Sequence, residues 1–482
     1  MTHTAADRGR LVPRARTGEA GVDAAAVTAF LDTIQAGGVE MHSLMLLRHG
    51  KVAAEGWWAP YAPDRVHLLY SLSKSFTSTA VGFCVAEGRF ALDDRVVDLL
   101  PEHTPDNVAE RVSALTVHHL LSMSTGHRED TLNQALSLEP HDVVRGFLRI
   151  PPEEPVGSRH AYNNSTTYVL AALVEKASGL ALLDYLRPRL LDPLGIGAAR
   201  WDLDEHGQAM GFTGLHLQTE SIATFGQLLL QDGVWEGRRV LPEGWVELAT
   251  RTHVDNAESG ENPDWQQGYG YQFWMSRHGF RADGALGQFC VVVPELDLVV
   301  ATTAFSLDMQ VILDAVWAHL LPGASGVVGA APDLAAEDEL AERLAHLTLP
   351  EVEVDPEVVL SHSRTFEVAD AGRLSPLTTG TQVTVTPDGD NTVVTMALSE
   401  TTLTFGCGRS QWTEGSLDGT PVVCRGGWTD PETFEADLVL IETPHRIRLH
   451  ASGIRLDAAW NTPPLTGPRI ESQLPGAVWS AW

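Results

Sequence analysis

Apolar residues recur at helical spacing over residues 22–36, and Gly37-Gly38 closes the stretch, which predicts a first helix. Two strand-like runs follow, 43–48 and 52–58, joined by His49-Gly50-Lys51 in a hairpin. From Ser71 to Glu87 the pattern is helical again and stops at Gly88. Leu72, Phe76, Ala80, Val81, Phe83 and Cys84 cover most of that helix's circumference, so it is expected to be buried on nearly all sides. Residues 90–230 are mostly helical with Pro and Gly breaks, and a strong stretch over 165–190 is interrupted near Ser178-Gly179. Between 268 and 305 β-branched and aromatic residues take over. Segments 269–274, 287–293 and 296–303 read as strands, with a turn at Pro294-Glu295. A helix over 307–320 then precedes a Gly/Ala/Pro-rich stretch, 322–333.

Beyond an acidic helix at 334–346 the pattern changes to short alternating strands at close spacing, turning at 387–390 and at Thr443-Pro444. This part reads as an all-β barrel or sandwich. The fold class expected for the whole is α+β, with a catalytic domain over 1–325, a linker carrying the acidic helix over 326–350, and an all-β domain over 351–482. No internal repeat is visible.

Composition narrows the partners. Apolar content of 44% and charged content of 20% are those of a folded chain. A net charge of −30 argues against nucleic acid and anionic membranes. Residues 1–22 carry no apolar signal segment, and no run is long enough to span a bilayer, so the expected location is the cytoplasm. Cys84, Cys290, Cys407 and Cys424 lack metal-ligand spacing and are read as reduced thiols, and no metal or organic cofactor is called for.

Lysine usage changes the picture more. Only three lysines stand against thirty arginines, and one of them is Lys74 in Tyr70-Ser71-Leu72-Ser73-Lys74. Lys loses its proton when buried, whereas Arg does not. At a helix start, Ser71 and Lys74 share a face one turn apart, which brings an amine to a hydroxyl and activates a weak nucleophile. The plain alternative is a Ser cap beside an ordinary surface Lys. Taken singly, Tyr162 reads as a helix-start aromatic and Asn164 as a turn or cap residue. His127 reads as a turn histidine, and the His118-His119 pair as packing. Neither a Gly-x-Ser-x-Gly elbow, nor His-Glu-x-x-His, nor a P-loop is present.

Four ordered landmarks decide between these readings: Tyr-Ser-x-x-Lys at 70–74, Leu-Leu-Ser-Met-Ser-x-Gly at 120–126, Tyr-x-Asn at 162–164 and Gly-x-x-Gly-Gln at 284–288. Together they resemble the serine β-lactamase and penicillin-binding-protein superfamily, specifically its class C-like hydrolases, esterases and DD-peptidases, over roughly residues 20–320. The resemblance implies an antiparallel sheet flanked by helices, with a helical region inserted after the first strands and the site in the cleft between them. It implies Ser71 as nucleophile, Lys74 as its base or the group that tunes the base, and Tyr162 as a phenol held near phenolate that shuttles the proton. Asn164 would position the substrate amide or the Lys74 amine. The backbone N–H groups of Ser71 and Gln288, the latter following Gly287, would form the oxyanion hole. Tyr269 and Trp265, with Tyr271 and Trp274, are candidates to line an acyl pocket, although aromatic strands are more often core.

One departure stands out. The family's third motif, Lys-Thr-Gly or His-x-Gly, is matched to Ala285-Leu286-Gly287, so the cation that would grip a substrate carboxylate is missing, with Arg277, His278 and Arg281 as possible substitutes. The leading expectation is a serine hydrolase acting on a small ester, amide or lactam. A β-lactamase or DD-peptidase, an acyltransferase and a non-catalytic binding protein are the alternatives.

Overall fold

A computed structural model describes residues 11–258, 260–326, 333–358 and 360–475. The strands of its first unit are β1 (Glu40–Arg48), β2 (Lys51–Trp57), β3 (Trp274–Met275), β4 (Phe280–Gly284), β5 (Gln288–Val293) and β6 (Leu298–Phe305). They form one antiparallel sheet in the order β2-β1-β6-β5-β4-β3, so the chain's first hairpin pairs with strands more than 200 residues later. In β5 and β6 nearly every residue is buried, because both faces of the sheet are covered and the hydrophobic run is continuous rather than alternating.

One face carries α1 (Ala24–Ala36) and the helical segment after Gln310. Val27, Phe30, Leu31 and Ile34 of α1 pack with Leu44, Leu46, Val291 and Val300 of the sheet. The other face carries α4 (Thr219–Leu230), which comes close because Gly226 has no side chain: a Cβ there would lie 2.7 Å from Cys290 Sγ.

The region between β2 and β3 is mostly helical. Its core is α2 (Ser73–Ala86) against α3 (Asn164–Ser178), the latter ended by Gly179 in the left-handed conformation, φ 72°. Helix α2 is buried from Ser73 through Cys84, as the pattern predicts. Its hydroxyls are satisfied by reaching sideways: Ser75 Oγ donates to Gln272 O, Ser78 Oγ to Tyr271 O and Thr77 Oγ1 to Gly211 O. This polar stitching holds the loops that surround the nucleophile.

Contacts divide the chain into two compact units, with the break at Leu347/Thr348 and residues 59–61 belonging to the second. The acidic helix α5 (Leu334–Ala345) was expected within a linker. Instead Arg343 pairs with Asp32 of α1, Glu337 accepts the Gly18 N–H at 2.7 Å, and Leu344 and Leu347 crowd Gly56 of β2. It is part of the first unit. Residues 327–332 of the expected linker lie outside the described residues.

The second unit is a nine-stranded sheet running from Arg364–Glu367 to Arg455–Trp460. Strand Arg446–Ser452 alternates buried and exposed positions, and Phe366, Val385, Met396, Phe405, Leu438 and Leu449 fill the interior. The Gly408 N–H donates to Cys424 O and the Gly426 N–H to Gly408 O, which draws the sheet into a nearly closed barrel. The thiols of Cys407 and Cys424 are neighbours there, and burial pushes that of Cys424 up.

Candidate active site

The residues Tyr70–Leu72 form a 3-10 turn that feeds α2, and Tyr70 sits at φ 49°, a left-handed conformation that non-glycine residues rarely adopt. This turn presents half-buried Ser71 above the helix start. Sheet strand β4 runs against it. A Cβ on Gly284 would lie 2.0 Å from Leu69 O and 3.1 Å from Leu72 N, so only glycine lets the strand approach the nucleophile turn.

Lys74, 1% exposed, donates to Ser71 Oγ at 2.9 Å, Asn164 Oδ1 at 2.8 Å and the Phe212 carbonyl at 2.9 Å. All three ammonium directions are used, so the amine is fixed against the serine. Burial lowers its pKa from 10.5 to about 7, while the charges of Asp130 and Asp283 pull the other way. It is the opposite of a surface lysine.

Tyr162 is placed by the 120–126 turn. The Ala161 N–H donates to Met123 O, the Gly157 N–H to Ser124 O, and Gly126 leaves room for Glu154 O. The next residue, Asn163, caps α3 and is held by Thr131. The phenol hydrogen-bonds Ser71, and Lys74 Nζ lies 4.8 Å from the ring centroid. Burial pushes this phenol well above the usual tyrosine range, with the Ser71 hydrogen bond opposing. The resemblance led us to expect a phenol held near phenolate; burial acts on Tyr162 in the opposite direction, and it lowers Lys74.

Asn164 joins the set through Asp130, which accepts its Nδ2–H at 2.6 Å and its backbone N–H at 3.0 Å. Ser71, Lys74, Tyr162 and Asn164 are therefore brought together. The Gln288 side chain is hydrogen-bonded elsewhere, and Gly287 lies in the turn before it. Gln288 is buried with its amide donating to Ala285 O (2.9 Å) and Ala304 O (2.8 Å) and accepting from the Ala304 N–H, so its side chain locks the β4–β5 hairpin.

Ala285-Leu286-Gly287, matched above to the third motif, is the hairpin turn itself, with Leu286 at φ 70° and Gly287 at φ 101°. The strand beside the nucleophile is β4, and it carries Arg281 and Asp283. Of the proposed substitutes, Arg277 pairs with Asp264 and Asp314, and the His278 ring lies 5.2 Å from Trp317. Arg281 is the one whose charge bears on Tyr162.

The aromatic candidates form one wall. Trp274 stacks on Tyr162 at 5.4 Å, Tyr269 meets both edge-on, and Trp265 lies under the Arg281 guanidinium at 4.4 Å. Tyr271 is further off, accepting or donating with His118 Nδ1 at 2.6 Å. His127 bridges Thr125 and Ile150 O, as a turn residue would. Sequence reasoning missed Asp130, Asp283 and the Phe212 carbonyl.

Residues 24–310 match the family model described as Beta-lactamase, well over half of the chain. The chain belongs to the beta-lactamase family. Among its relatives it is 28% identical over 279 residues to the 6-aminohexanoate-dimer hydrolase of Paenarthrobacter ureafaciens, covering 54% of this chain and 71% of that one. It is 27% identical to Esterase EstB of Burkholderia gladioli, covering 36% of this chain and 52% of the esterase. The solved structure of SurE shares the fold at 21% identity and a TM-score of 0.50, covering 90% of this chain and 97% of that one. Membership of this family of amide and ester hydrolases makes the chain a serine hydrolase. Among the described residues no helix is long and apolar enough to cross a membrane.

Proposed function

We propose that this beta-lactamase-family enzyme cleaves a small ester or amide through an acyl-Ser71 intermediate, with Lys74 as the base. The observation that carries the reading is the Lys74 amine, buried, held 2.9 Å from Ser71 Oγ and brought down to about 7. Near neutral pH a substantial share of this amine is unprotonated and able to accept the Ser71 proton.

Ser71 Oγ then adds to the substrate carbonyl carbon, and the C=O electron pair moves onto oxygen. The Ser71 N–H lies beside that oxyanion, and the Ala285 N–H, next along from Gly284, is the better partner than that of Gln288, because Gly284 is what abuts the turn. Collapse expels the alcohol or amine, which takes its proton from Lys74 through the Tyr162 hydroxyl. Water, deprotonated by the same route, attacks the acyl carbon, releases the acid and restores Ser71. The high proton affinity of Tyr162 suits a relay that never stays ionised.

The relatives named above include a 6-aminohexanoate-dimer hydrolase and an esterase, which supports small amide and ester substrates. The test is hydrolysis of p-nitrophenyl butyrate by the wild type and by Ser71→Ala. Turnover lost in the variant supports the reading; equal turnover by both overturns it.

A further inference from the structure

The arginine of the strand beside the site faces inward. Arg281, 0% exposed, gives its Nε to Asp283 at 2.9 Å and its Nη1 to Asp264 O, Met275 O and Ser276 Oγ. Its plane sits on Trp265 at 4.4 Å and 5.8 Å from Trp274, whose own ring stacks on Tyr162. The one nitrogen without a partner, Nη2, is sealed from solvent. The Asp283 carboxylate, 8% exposed, is held by Arg281 and by the Trp265 indole, on the strand residue directly before the Gly284 that abuts the Ser71 turn. Its charge bears on Lys74, Tyr162 and Tyr269, and Asp130 adds a second carboxylate across Asn164.

We propose that Asp283 sets the charge specificity of the site, excluding substrates with a carboxylate beside the scissile carbonyl and favouring neutral or ammonium-bearing ones. Arg281 orients the carboxylate and cancels part of its burial cost, which is why the ion pair is retained in an aromatic sandwich. The ring faces of Tyr162 and Trp274 are electron-rich and favour a cation over an anion as well. The reading builds on the hydrolase function proposed above and narrows its substrate class.

Three p-nitrophenyl esters of equal chain length separate the outcomes: 4-(trimethylammonio)butyrate, pentanoate and glutarate. In the wild type, kcat/KM for the cationic ester should exceed that for the anionic one by about tenfold or more at neutral pH. In Asp283→Asn that preference should fall to within about threefold or reverse. Asp283→Glu should restore it. Because Asp283→Asn leaves a buried guanidinium uncompensated, the double variant Arg281→Met/Asp283→Asn serves as a second test in which no such charge remains. A wild type that hydrolyses the glutarate ester as fast as the cationic one, or variants that keep the wild-type preference, overturn the proposal. Labelling of Ser71 by a neutral phosphonate reports on the hydrolase reading alone, so a protein that labels but does not discriminate charge retracts only the role of Asp283. In a protein that does not label, competition between hexylammonium and hexanoate, read by tryptophan fluorescence, decides the charge preference separately.

Discussion

Replacing Asp130 by Asn should lower the pH at which the enzyme becomes active. Lys74 Nζ donates to Asn164 Oδ1 at 2.8 Å, and Asn164 Nδ2 donates to Asp130 at 2.6 Å, so one carboxamide separates ammonium from carboxylate. That places the charges roughly 6–7 Å apart, and since Asp130 is exposed the effective dielectric is ~50, giving an attraction of about 1 kcal/mol. Removing it takes ~0.7 unit off the Lys74 pKa, which burial has already brought to about 7. The active form carries the neutral amine, so activity rises with pH through this value. At pH 6 the wild type should show roughly a tenth of its plateau and Asp130→Asn roughly a third of its own. The substituted amide keeps an acceptor for one of the two Asn164 donors that the carboxylate takes, and loses the other. The assay is kcat/KM for p-nitrophenyl butyrate from pH 5 to 9 at constant ionic strength. An acidic limb that stays put or moves upward in the variant refutes the coupling, and with it the claim that neutral Lys74 is the base.

Gly284→Ala should cut kcat/KM by about 100-fold or more, because its Cβ would sit 2.0 Å from Leu69 O and shift the nucleophile turn; near-wild-type kinetics would show that β4 does not set the position of Ser71. Gln288→Leu should destabilise the protein by about 3 kcal/mol in urea, since it strands the buried Ala285 and Ala304 backbone groups; a change below ~1 kcal/mol would contradict that role. Lys74→Met should abolish activity and also flatten the pH dependence of stability. In the wild type the folded pKa lies below the unfolded one, so the unfolded state binds more protons between about 7 and 10.5 and stability rises with pH across that window. The wild type minus Lys74→Met difference in urea stability should climb by up to ~1.4 kcal/mol per pH unit there; a flat difference would contradict the depressed lysine.

The catalytic unit is legible in the chain because its signals are periodic or chemically rare. A helix whose apolar and small residues cover most of its circumference, continuous apolar strands and a lone lysine beside a serine each leave few alternatives. The third motif is misread for a local reason. Asp283-Gly284-Ala285-Leu286-Gly287 holds two glycines, and the turn uses Leu286 at φ 70°, a residue that carries no turn signal. The register therefore slips by a few positions, and Arg281 and Asp283 pass for loop residues. Asp130 lies in an exposed run of charges without pattern, and Phe212 contributes a carbonyl, which every residue has. The acidic helix reads as linker because its buried positions are few, Glu337 and Leu340, and its attachment to α1 runs through ion pairs that spacing cannot reveal. Strands 269–274 shrink to Trp274–Met275, since the aromatics there turn inward to build the wall beside Tyr162 instead of extending the sheet.

The central claim is that Ser71, activated by Lys74, forms a covalent bond to substrate carbon or its phosphorus analogue. The direct measurement is intact-mass spectrometry after incubation with an alkyl fluorophosphonate, followed by peptide mapping. One adduct on Ser71 in the wild type, none in Ser71→Ala and strongly slowed labelling in Lys74→Met are the predicted results. Labelling at another residue, or at Ser71 with undiminished rate in Lys74→Met, would contradict the account.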